Sequence, residues 1–165
     1  MKRSELITLN QVKDCLSLLH EDYHDCEVHM FNSKLSFVKW CVTNKYYDKE
    51  HIRSVLKGLS AGYYRIDRKF VHIYLFSHHV PDRYFGLHVI RTLYHEVRHH
   101  YQYSYQCNKW VKSKGIGYRI EDSRYNTSAI ERDANKFAAR MCIKHKDEIS
   151  KILDVYPDWI VYGYE

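Results

Sequence analysis

At 165 residues the chain has the length of one domain, enough to bury a real core and short for two. Six glycines and two prolines exclude a collagenous chain or one built on long linkers, and no run of about 18 apolar residues offers a membrane span. Lys and Arg outnumber Asp and Glu by 26 to 20, a net +6 that fits a solvated surface better than a polybasic tail.

Residues 9–20, LNQVKDCLSLLH, place Val12, Cys15, Leu16 and Leu19 at helical spacing and predict an amphipathic first helix. Alternation in EVHMFN, residues 27–32, predicts a short strand, whereas SKLSFVKWCV, residues 33–42, suits strand or helix. Residues 48–59 read as a helix capped by Asp48, with Ile52, Val55, Leu56 and Leu59 on one face. GYYRID and KFVHIYLF then flank a turn near Asp67-Arg68-Lys69 and predict a hairpin, in which His72 is expected to be a packed strand residue. SHHVPD breaks the second arm, and Pro81 suits the first turn of a helix over 82–105 whose core stripe is Ile90, Leu93, Val97 and Tyr101.

Residues 107–125 form a long connection, and their Gly115-Ile116-Gly117 lacks the Lys-Ser/Thr of a phosphate loop. A last helix is expected over about 128–149, followed by an aromatic tail, YPDWIVYGYE, that packs back on the domain. The expected organisation is a single α+β domain over 1–165. It divides into a helical and strand subregion at 1–60, a motif-bearing core at 61–145 and a packing tail at 146–165. Five cysteines, Cys15, Cys26, Cys41, Cys107 and Cys142, form no CxxC pair, and MKRSELITLNQVKD has no apolar leader segment; a cytoplasmic location is expected.

The chemistry is carried by LYHEVRHHYQ, residues 93–102, which contains the HExxH pattern His95-Glu96-Val97-Arg98-His99. Residues four apart share a helix face, so His95 and His99 can aim nitrogens at one metal ion while Glu96 reaches a water beside it. With 12 histidines, random order would yield the pattern only roughly 0.05 times per chain. A catalytic zinc needs a third protein ligand, and on the next helix Glu131 and Asp133 are candidates. Each has a plainer reading. Ser128-Ala-Ile-Glu131 matches a capping box, and Asp133 could be a charge in the first turn opposing the helix dipole.

Taken together, YRIDRKFVHIYLF, PDRYFGLHVIRTLYHEVRHHY and ERDANKFAARM resemble the ImmA/IrrE-type zinc metallopeptidases, which are gluzincin-like. The resemblance covers roughly residues 61–145. It implies a zincin-like fold, with a short hairpin on an HExxH helix and a later helix reading ExxANxFA. It further implies one Zn2+ held by His95, His99 and Glu131, with Glu96 as general base and then acid in peptide-bond hydrolysis. Relatives of this type cleave protein substrates, often regulatory ones. In related gluzincins an Asp four residues after the glutamate ligand orients a zinc-bound histidine. Asn135 holds that position here, with Asp133 an alternate group near the metal.

Two departures mark the motif. Arg98 stands where the family commonly has glycine and can snorkel if that side of the helix reaches solvent; His100 extends the run and reads as an outer or surface histidine. Tyr118, Tyr125 and His79 are candidate donors to a tetrahedral oxyanion. The exposed edge of the 61–76 hairpin could align an extended peptide.

Two other classes compete. Lys109, Lys112, Lys114, Arg119 and Arg124 beside Trp110 and Tyr118 suit a basic, aromatic nucleic-acid-binding module, although Glu121 and Asp122 interrupt the run. An inactive zincin acting as an interaction protein is the other, with Arg98 as its hint. The expected partner is a protein or peptide substrate, with nucleic acid the less favoured alternative and no membrane partner.

Overall fold

Local capping chemistry sets most of the early boundaries. The computed structural model describes residues 5–106 and 129–156. Helix α1 (Leu9–Leu16) opens with a reciprocal cap: Thr8 Oγ accepts from the Gln11 amide at 3.2 Å, and Gln11 Oε1 accepts from the Thr8 amide at 2.9 Å. It ends earlier than the apolar spacing suggests, yet Leu19 beyond it is still buried. Strand β1 (Glu27–Phe31) follows a short 3-10 turn.

The ambiguous stretch is helical. In α2 (Lys34–Thr43), Ser33 and Ser36 cap each other's amides, and Phe37 and Cys41, one turn apart, are buried. Asp48 caps α3 (Lys49–Leu56) by accepting from the His51 amide at 3.0 Å.

Strands β2 (Gly62–Arg65) and β3 (Phe70–Tyr74) form the expected antiparallel hairpin. The sheet order is β1-β3-β2, with β1 parallel to β3, so β3 is the central strand and is buried throughout. Its side chains alternate. Val71 and Ile73 belong to the main core, and Phe70 and Tyr74 to a second cluster with Phe31, Phe37, Cys41, Tyr46 and Val55. His72 packs on that second side, stacked on Phe70 with ring centroids 4.1 Å apart and edge-on to Trp40 at 4.5 Å.

Helix α4 (Asp82–Tyr105) begins just after Pro81 and crosses β2 and β3; Val89, Ile90, Leu93, Tyr94 and Val97 are wholly buried in it. Along α4 lies α5 (Ala129–Lys144), and the fully buried Ala134 and Ala138 leave room for close helix packing.

The single helix expected to reach residue 149 is two. It breaks at His145, whose φ and ψ are −108° and 24°, and α6 (Lys146–Leu153) follows. The break redirects Ile149 and Leu153 into the core beside α1, where Gln11 Nε2 donates to Ile152 O at 3.0 Å. The result is an α+β fold with six α-helices and one small mixed sheet among the described residues. None of the described helices is long and apolar enough to cross a membrane.

Candidate metal centre

Helix periodicity stacks His95 and His99 one turn apart on α4, and their Nε2 atoms stand 3.0 Å apart. The packing of α5 on α4 delivers Glu131 from its first turn. Glu131 Oε2 lies 3.2 Å from His95 Nε2, and Oε1 lies 3.3 Å from His99 Nε2. The other nitrogen of each ring is engaged: His95 Nδ1 with Asn135 Oδ1 at 3.1 Å, and His99 Nδ1 with Gln102 Oε1 at 2.9 Å. Both rings therefore turn Nε2 toward the carboxylate.

The charges are strongly coupled. Burial alone would raise the Glu131 carboxyl, but hydrogen bonds and charge from His95 and His99 hold it well below the usual carboxylate range. Burial disfavours a charge on His99, yet the Glu131 contact raises the ring to about 9. Burial pushes the Glu96 carboxyl above its ordinary value; Glu131 adds to this, while His95 and His99 oppose it.

The donor set suits a divalent ion of the zinc type: two imidazoles and a carboxylate, with all three ligand atoms within 4.8 Å of one another. Tetrahedral zinc, with bonds of about 2.0–2.1 Å, would space its ligands about 3.3–3.4 Å apart. The two Nε2 atoms stand 3.0 Å apart and each lies 3.2–3.3 Å from a different oxygen of Glu131, so the carboxylate would turn to bring one oxygen to this spacing from both rings.

The group lies in a cleft of about 840 Å³ that runs from α3 past β2 to α4 and α5. The Tyr74 amide donates to Ala61 O at 2.9 Å, so alternation along the pair turns the backbone of Gly62 and Tyr64 to the open edge of β2. The Tyr64 backbone amide bonds the Glu96 carboxylate, and Ser60 Oγ donates to Gly62 O at 2.5 Å. Part of the edge is thus already occupied.

Other candidate residues lie elsewhere. Asp133 is a tether: its Oδ2 accepts from Arg98 Nε at 2.7 Å and from Gln102 Nε2 at 2.8 Å. Arg98 does not snorkel outward but turns into that contact, with its side chain only 14% exposed. His100 is wholly buried against the sheet, its Nδ1 3.1 Å from Tyr64 Oη, so it is no surface histidine. His79 is exposed and does not line the cleft. Tyr118, Tyr125, Ser128, the Gly115–Gly117 pair, the basic stretch 109–124 and the tail beyond 156 lie outside the described residues. Sequence reasoning missed Gln102 and Gly62. Gln102 follows His99 by three positions, a spacing that places the two on one helix face and could have pointed to it.

Fold and site together define an α+β domain with a His-His-Glu cluster on two packed helices, beside the edge of a three-stranded sheet. No family model matches the chain, and no curated protein or solved structure is significantly similar to it.

Proposed function

We propose that the chain is a zinc-dependent peptidase of the ImmA/IrrE type with a zincin-like fold, hydrolysing peptide bonds of a protein substrate in the cytoplasm. One observation carries this reading. His95, His99 and Glu131 converge across two helices at ligand spacing, with the buried Glu96 one residue from His95 in the same cleft. A single zinc ion held by those three side chains would supply Lewis acidity, lowering the pKa of water toward neutrality and polarising a carbonyl.

The chain's own groups supply the rest. Glu96 takes a proton from water on one carboxylate oxygen and returns it to the departing amine, a transfer favoured by a carboxyl whose proton affinity burial has raised. Asn135 and Gln102 each accept from a ring Nδ1–H and so hold the imidazoles in register. The edge of β2 that no other strand pairs with among the described residues borders the cleft and can align an extended peptide.

Elemental analysis of the purified protein tests the reading, with wild type beside His95→Ala. One zinc per chain in the wild type and a loss in the variant are expected. A wild type that takes up no zinc when supplied with it would remove the proposal.

A further inference from the structure

Arg98, the residue that departs most from the resembling pattern, is built into the molecule with unusual completeness. Its guanidinium carbon lies 4.9 Å from the Tyr101 ring centre and 5.0 Å from that of Phe137. Tyr23 stacks on both rings with centroids 4.9 Å apart, and its hydroxyl accepts from Arg98 Nη1 at 2.8 Å. The cage leaves Nε to donate to Asp133 Oδ2 at 2.7 Å.

From Arg98 onward the donor and acceptor roles are forced. A guanidinium only donates and a carboxylate only accepts. Gln102 Nε2 meets two acceptors, Asp133 Oδ2 at 2.8 Å and Ile130 O at 3.1 Å, so this end must be the amide nitrogen. The opposite end, Oε1, faces His99 Nδ1 at 2.9 Å and can only accept. His99 therefore carries a proton on Nδ1, and Nε2 is the nitrogen presented to Glu131 and the cleft. Gln102 is wholly buried, so water cannot replace any of these partners cheaply.

We propose that Arg98, Asp133 and Gln102 form a positioning chain that fixes the ring orientation and Nδ1 proton of His99, so that the arginine within the motif supports the metal site. The inference rests on reading His99 as a ligand. It makes all three positioning residues, acting on the ion only through His99.

The test combines two readouts: zinc affinity by chelator competition, and the His99 Nδ1 proton of the metal-free protein in nitrogen-15 histidine NMR spectra. The wild type is expected to show a slowly exchanging Nδ1 proton. Gln102→Leu should lose that signal and bind zinc about 10–100-fold more weakly. Arg98→Met should weaken zinc binding and speed the proton's exchange.

A folded Gln102→Leu protein with wild-type affinity and a protected proton would overturn the proposal. If that variant fails to fold, a folded Arg98→Met protein with wild-type zinc affinity and wild-type proton exchange overturns it instead. A wild type with a protected Nδ1 proton but no zinc uptake would fell the metal reading and leave the positioning chain standing.

Discussion

Gly62 approaches Glu96 so closely that a Cβ added there would stand 2.7 Å from Oε1 and 2.8 Å from Cγ, with Thr92 Cγ2 at 2.6 Å. Strand β2 can lie against α4 at the motif only because this position lacks a side chain. Gly62→Ala must push the strand or the Glu96 carboxylate aside. Such overpacking costs about 1–3 kcal/mol of stability, and a shift of about 1 Å in the proton-transfer group can cost about 100-fold in rate. The expected variant is folded, keeps its zinc and has a sharply lower kcat. Wild-type kcat on the same substrate would show that Glu96 needs no such clearance.

Glu131 supplies the contact that joins α5 to both histidines, so metal binding and stability should rise and fall together. A metal at about 100 times its dissociation constant adds about 2.7 kcal/mol, which for a chain of this length raises Tm by roughly 5–10 °C. Scanning calorimetry with and without a chelator should show that gap in the wild type and none in Glu131→Ala. A zinc-dependent rise that persists in Glu131→Ala would return Glu131 to the capping role that Ser128-Ala-Ile-Glu131 suggests.

Much of this arrangement was legible from local rules, and what was not depends on distance in the chain. Asp48 as a cap, the hairpin around residue 67 and the placing of HExxH within a long helix follow from residue type and spacing. The parallel pairing of β1 with β3 joins residues more than 40 positions apart, such as Glu27 and Phe70, and no periodicity reports it. The break at His145 falls inside the single helix expected over about 128–149, and beyond it Ile149 and Leu153 reach the core. At the site, the three converging groups could be named from spacing and resemblance. The inward turn of Arg98 could not, because it depends on Asp133 from another helix and on the hydroxyl of Tyr23. Gly62 was invisible for the same reason: its meaning lies in the side chain that faces it.

On the proposed peptidase reading, Glu96→Gln separates proton transfer from metal holding. The amide keeps the size of the carboxyl and leaves the His95, His99 and Glu131 cluster intact, so zinc content should be unchanged. General acid–base groups contribute about 100- to 10,000-fold, and kcat should fall by that order. Undiminished cleavage by the variant would remove Glu96 from its role.

In the metal-free protein, acid sensitivity should arise in the core beneath α2 and α3. His51 Nδ1 lies 2.7 Å from Tyr46 Oη, His51 Nε2 lies 2.8 Å from Tyr74 Oη, and Tyr74 Oη lies 3.1 Å from His72 Nδ1. Burial lowers His51 to about 4 and His72 to about 2, so both rings are neutral in the folded protein near pH 7. The unfolded chain takes up these protons first, near pH 6.5, so its share of bound protons exceeds that of the native state below that pH. The stability these rings contribute is therefore complete above about pH 6.5 and declines as pH falls; the His51 share is exhausted near pH 4. The interval from 6.5 to about 4 for His51 corresponds to about 3 kcal/mol. Urea unfolding at pH 7.5, 6, 5 and 4.5 should show this decline, and in His51→Gln the slope should be shallower even though the variant starts from lower stability. An equal slope in the two proteins would place the acid sensitivity outside this cluster.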